Sequence, residues 1–209
     1  MIKNKYKDIQ DDYENLGLDS CSVPEKDAWI FQSAISAVNP NNILEIGFYK
    51  GGSAFIMLSL DKEVSLTSVD PIDQLPSEIF HGVDQKEYDK KLEAVEKVKE
   101  KFGDRFTFIK KHSQNVRPDL EGQSFDMIFI DGDHWESGIR NDLQLVLDLK
   151  IKYALVDDWL QPKQIMKSVP VVYAESFADK LKIKAVFFRQ DISCNGSPIP
   201  VVLLENLTI

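Results

Sequence analysis

The chain has 209 residues, enough for one domain with a full hydrophobic core and a small appendage. Its formal net charge of -9 argues against nonspecific binding to nucleic acid or to an anionic membrane, because phosphate contacts need a basic surface. The two cysteines, Cys21 and Cys194, have no metal-type spacing and make no disulfide framework, which fits a reducing compartment. No apolar run is long enough to span a bilayer, and the polar stretch from Met1 to Lys7 lacks the apolar segment of a signal peptide, so the cytoplasm is the expected location.

In chain order, residues 24–38 place apolar side chains at helical spacing, and Pro40 closes that helix. Residues 1–40 therefore read as an N-terminal helical appendage to a domain at 41–209. Strands are expected at Ile43–Ile46, Ser65–Val69, Phe106–Lys110, Phe125–Ile130, Tyr153–Val156, Lys184–Phe188 and Val201–Leu204. Helical patterns fall between them at 53–60, 89–101, 137–149 and 174–181. This alternation predicts an α/β fold, Rossmann-like and doubly wound, with a mainly parallel seven-stranded sheet. The last two strands are joined by residues 191–198, which hold no helix, so one antiparallel strand is expected near the C-terminus. Residues 71–88 exceed what the architecture needs and read either as a lid or binding loop or as a disordered surface loop.

The densest signal is Ile43-Leu44-Glu45-Ile46-Gly47-Phe48-Tyr49-Lys50-Gly51-Gly52-Ser53. A strand, a glycine-rich turn and a helix in succession present backbone N–H groups to a ligand at the carboxyl edge of a doubly wound sheet. The spacing is neither G-x-x-x-x-G-K-[ST] nor G-x-G-x-x-G, which turns the reading away from a P-loop or a dinucleotide fold. The next strand ends in Asp70, placed to accept hydrogen bonds from a ribose diol. Ser113 and Gln114 follow the third strand and carry groups that can pair with a purine. The fourth strand runs into Asp131-Gly132-Asp133-His134, and the fifth into Asp157-Asp158. Adjacent carboxylates repel unless a cation is present, so Asp131, Asp157 and Asp158 are candidate ligands for one divalent metal, Mg²⁺, Mn²⁺ or Ca²⁺.

Taken together these residues resemble a class I S-adenosylmethionine (SAM)-dependent methyltransferase. They are most similar to the metal-dependent O-methyltransferases of the catechol and caffeoyl-CoA type and to bacterial relatives that methylate sugar hydroxyls on macrolides and glycans. The resemblance implies that Gly47, Tyr49, Gly51 and Ser53 line the methionine part of SAM and that Glu45 holds the loop. Asp70 would bind the ribose hydroxyls, with Ser113 and Gln114 near the adenine. Asp131 would serve both the cofactor region and, with Asp157 and Asp158, a Mg²⁺ ion. His134 takes the position of a basic residue three places after the first metal aspartate and is the candidate general base. Lys50 is an unexpected charge in such a loop. The implied acceptor is a hydroxyl of a sugar or small natural product, with neither nucleic acid nor membrane as partner, and a homo-oligomer is left open. Two alternatives stand beside this: a metal-independent SAM methyltransferase acting on another nucleophile, and a non-catalytic module of the same fold that binds a nucleotide-type ligand.

Overall fold

The computed structural model describes residues 2–18, 25–72, 85–133, 135–159, 169–190 and 198–209. Strands β1 (Asn42–Ile46), β2 (Ser65–Val69), β3 (Phe106–Ile109), β4 (Met127–Ile130) and β5 (Tyr153–Val156) pair in parallel. All but β3 are almost wholly buried, which is why they read as short continuous apolar runs. Strands β6 (Leu181–Gln190) and β7 (Pro198–Asn206) complete a seven-stranded sheet of order β3-β2-β1-β4-β5-β7-β6. β7 is antiparallel to both of its neighbours, so it alone runs against the other six. The expected sheet, with its one antiparallel strand, is the one observed.

Helices cover both faces. On one lie α1 (Ile2–Asn15), α2 (Glu25–Val38), α3 (Gly52–Leu60) and α4 (Gln85–Phe102), packed around Tyr13, Phe31, Phe55 and Val98. On the other lie α5 (Arg117–Leu120), α6 (Glu136–Asp148) and α7 (Val169–Ser176), packed around Leu120, Leu143, Val146 and Val172. The two N-terminal helices share the core of the sheet: Tyr13 is fully buried edge-on to Phe55, and Phe31 edge-on to Phe129 of β4.

Two elements depart from expectation. The helix expected at 174–181 is instead α7 at Val169–Ser176, followed by a turn at 177–180 into an earlier-starting β6. Pro170 sits at the second helical position, where a missing N–H and a fixed φ are tolerated, so it helps start the helix rather than preventing it. Helix α4 also begins at Gln85, inside the expected 71–88 loop. The rest of that loop, 73–84, lies outside the described residues.

The strand register fixes the site. Ile46 pairs with Val69 on one side and with Ile130 on the other, and Ile130 pairs with Val156. The residues one step beyond are Gly47, Asp70, Asp131 and Asp157, so all four fall on one edge. Main-chain bonds carry the ladder that one step further: Gly47 N–H donates to Val69 O, Asp131 N–H to Ile46 O and Asp157 N–H to Ile130 O. Strand order reverses between β1 and β4, and the crevice at such a switch point is where doubly wound sheets bind ligands.

Candidate active site

The turn after β1 crosses this crevice. Gly47, Tyr49 and Gly51 all have positive φ, at 96°, 49° and 76°. A Cβ on Gly47 would come within 2.1 Å of the Asp131 carbonyl oxygen, so glycine is required there by close approach of two strand ends as well as by φ. Gly51 packs on the buried ring of Phe48, and its N–H donates to Phe48 O at 2.8 Å, closing the turn just before α3 begins.

Asp70 pins this turn. Its Oδ2 accepts the N–H groups of Phe48 at 2.9 Å and Tyr49 at 3.0 Å, and its Oδ1 accepts the Ile72 N–H at 2.7 Å. A left-handed conformation at a residue with a Cβ costs roughly 1–2 kcal/mol. Two charge-assisted bonds to the turn, one of them on Tyr49 itself, offset that cost. The tyrosine ring is left half exposed at the edge.

Glu45 holds the loop from below. It is fully buried on β1, and its two oxygens accept hydrogen bonds from Ser53 of α3 and from Ser68 of β2. Burial raises its carboxyl from the ordinary 4.5 to about 7, although both serine hydroxyls act to lower it. Ser68 is the direct cross-strand partner of Glu45 and was not singled out in the sequence, because the parallel register that joins them is not written in either segment.

Lys50 does not lie with the edge acids. It is buried, its ammonium sits over the Tyr49 ring, and it lines a pocket with Gly17, Leu18 and the Lys90–Lys97 face of α4. Its carbonyl accepts the Tyr13 hydroxyl, tying the loop to α1.

The remaining candidates separate. Ser113 is buried in a short 3-10 turn after β3, where its Oγ accepts Asn141 Nδ2 of α6 at 3.1 Å; Gln114 is exposed. Asn141 also donates to Asp142, a buried acid on the inner face of α6. Asp142 was legible and missed: a charge interrupts the apolar positions Ile139, Leu143 and Val146. Asp131 and Asp157 stand on neighbouring strand ends. Asp157 is buried and its Oδ1 accepts the Asp158 N–H at 2.7 Å, while Asp158 itself has φ 47°. Among the described residues no group of three or more His, Cys, Asp or Glu side chains gathers so as to hold a metal. The three expected ligands, Asp131, Asp157 and Asp158, therefore share an edge without forming a metal cage. Asp133 accepts the Trp135 N–H at 3.0 Å in a turn entering α6, against the missing Cβ of Gly138. His134 lies outside the described residues.

Residues 44–156, more than half of the chain, match a family described as a methyltransferase domain. A search of curated proteins finds no match. Among solved structures, the chain is similar to an O-methyltransferase from Bacillus cereus in complex with SAH, with a TM-score of 0.64 at 15% identity over 97% of this chain and 91% of that one. It is equally similar to the O-methyltransferase of tomaymycin synthesis from Streptomyces achromogenes in complex with SAM, with a TM-score of 0.64 at 14% identity over 97% and 89%. A SAH-bound methyltransferase from Podospora anserina gives a TM-score of 0.59 at 18% identity over 97% and 87%. No helix of the described residues is long and apolar enough to cross a membrane. With a ligand crevice at the switch point, a carboxylate-pinned glycine turn and a match spanning β1 to β5, the chain belongs to the methyltransferase-domain family and has the fold of the class I SAM-dependent methyltransferases.

Proposed function

We propose that the protein transfers the methyl group of SAM to a hydroxyl of a sugar or other small natural product. The observation that carries this reading is the turn from Gly47 to Gly51, pinned by Asp70 at the strand-order switch and leading directly into α3. The methionine carboxylate of SAM would meet the positive end of α3, where backbone N–H groups of the first turn favour an anion. The ribose would lie toward Asp70. A row of acids on the edge, Asp70, Asp131, Asp157 and Asp158, gives the sulfonium a favourable field. Support for oxygen as the acceptor comes from the structural neighbours described as O-methyltransferases, one of them acting in the synthesis of a natural product.

The chemistry is an in-line displacement. The acceptor oxygen attacks the methyl carbon, the carbon–sulfur bond breaks with its electron pair going to sulfur, and the hydroxyl proton leaves to a base. Alignment of the two reacting atoms supplies much of the rate. In this proposal His134 takes the proton; its neighbours Asp133 and Trp135 are bonded to each other at the mouth of α6. Mg²⁺ at Asp131, Asp157 and Asp158 belongs to the sequence resemblance, and the carboxylate geometry lends it no support.

The test is a screen of sugars, phenols and glycosylated natural products with labelled SAM, followed by His134→Gln on any acceptor found. Glutamine keeps hydrogen bonding but cannot take the proton. Turnover should fall about 10²–10⁴-fold with SAM affinity nearly intact. A wild-type rate in His134→Gln would remove the base from the proposal, and an absence of methylated product across the panel would remove the acceptor class.

A further inference from the structure

This acidic chain gathers lysines at one place. Its formal net charge is -9, yet the cavity between the end of α1, the turn after β1 and helix α4 is lined by Lys50, Lys90 and Lys97 beside Glu93. Lys90, Glu93, Ala94 and Lys97 recur at i, i+3, i+4 and i+7, which puts them on one face of α4. The same helix is docked on α1: Lys101 pairs with Asp12 at 2.7 Å, and Lys97 donates to the Gly17 carbonyl at 3.2 Å. Those contacts hold the walls of the cavity in place. Glu93 pairs with Lys97 at 2.6 Å. Over the described lining, three ammonium groups therefore stand against one carboxylate, which makes the cavity locally attractive to an anion in a molecule of opposite overall sign.

Lys50 comes from a different element and is held more firmly. It is only 6% exposed, and its carbonyl accepts the Tyr13 hydroxyl at 3.1 Å. Its ammonium lies 5.1 Å from the centre of the Tyr49 ring, which Lys91 approaches at 5.2 Å. A buried ammonium acts on a nearby anion through a low dielectric, so its pull exceeds that of a surface lysine. Leu18 and Ala94, both buried, back the cavity with apolar surface. Its volume of about 290 Å³ is at the low end of small-ligand clefts and admits an oxyanion together with a small group that carries it. Among the described lining residues there is no arginine, whose planar fork matches a carboxylate. Compact ammonium donors from two elements suit the several charged oxygens of a tetrahedral phosphate. We infer that this cavity is a phosphate-binding site, taking the free ion or the phosphate group of a small ester.

Isothermal calorimetry of inorganic phosphate into the full chain, without SAM and in a phosphate-free buffer of low ionic strength, tests the site apart from the methyl-transfer reading. Wild type should bind one phosphate per chain, more weakly as NaCl is added. Lys90→Gln, a change at a half-buried position on α4, should weaken binding about tenfold through the loss of one charge-assisted bond. Lys50→Gln should weaken it at least as much, with circular dichroism as the check on folding; Lys90→Gln decides the matter if that buried change does not fold. Lys182→Gln, exposed on β6 at the other end of the sheet, should leave binding unchanged. Glucose 6-phosphate separates the two sources: tighter binding than inorganic phosphate assigns the cavity to a phosphate ester, and equal or weaker binding assigns it to the free ion. A folded wild type that binds no phosphate overturns the inference. So does binding that Lys90→Gln leaves intact, or that Lys182→Gln weakens equally.

Discussion

Glu45 is the residue whose chemistry the fold alters most. It is fully buried, with the Ser53 and Ser68 hydroxyls as partners, and its carboxyl is raised from 4.5 to about 7. The folded chain thus keeps a proton that the unfolded chain releases near pH 4.5, so stability falls as the pH rises through this window and the loss is complete above pH 7. The full effect is on the order of 3 kcal/mol. Glu45→Gln removes the titration while keeping the shape, so the variant should gain on wild type as the pH rises from 4.5 to 7. Urea unfolding at a series of pH values measures the difference, and a difference that stays flat would contradict the buried, proton-holding state. At this scale Glu45, Gly47 and Asp70 were legible, because an acid, a glycine and an acid at apolar strand ends are each out of place in a plain core. What Asp70 does was less legible. Its bonds to Phe48 and Tyr49 span 22 and 21 residues, and only the β1–β2 register brings them together.

The elements that carry the site meet at contacts with no slack. Gly47→Ala would push a Cβ to 2.1 Å from the Asp131 carbonyl and strain a φ of 96°, so the β1 turn must leave its place against β4. Gly122 provides the control: its φ is 79°, but a Cβ there meets nothing within 4 Å. Gly122→Ala should cost roughly 1–2 kcal/mol from backbone strain alone and leave SAM binding unchanged. Gly47→Ala should abolish SAM binding as well as lowering the melting temperature. Equal effects of the two on SAM binding would show that the close approach at Gly47 is not what shapes the turn. The ends of β4 and β5 invite a second measurement. Since Asp131, Asp157 and Asp158 form no ready-made cage, Mn²⁺ titrated into acceptor-free protein should show no tight one-to-one binding. A stoichiometric site that Asp157→Asn removes would show that the three carboxylates converge after all. Elements were read best where burial on both faces made continuous apolar strands, as at Ser65–Val69 and Tyr153–Val156. They were read worst at α7, where the pattern expected at 174–181 lies about five residues beyond the observed helix, Val169–Ser176, which carries Pro170 in its first turn.

At the scale of the whole molecule, alternation of strand and helix was enough to foresee a doubly wound sheet with a C-terminal antiparallel strand. It was not enough to foresee that β7 inserts between β5 and β6, since either order satisfies the hairpin connection and only packing against the β5 edge decides it. That sheet order leaves β6 as the outermost strand, and the reversal between β1 and β4 creates the crevice. Everything proposed for the site depends on that crevice taking SAM. Isothermal calorimetry of SAM, and of its demethylated product, against wild type and Asp70→Asn tests this most directly. Asparagine turns one acceptor into a donor facing backbone N–H groups, so it loosens the turn and weakens the ribose contact together. Wild type should bind one SAM per chain, and Asp70→Asn should bind more weakly by about 1–3 kcal/mol, the scale of a lost bond to a charged acceptor. A folded wild type that binds neither ligand, or an Asp70→Asn protein that binds SAM as tightly as wild type, would contradict the placement of the cofactor on this turn.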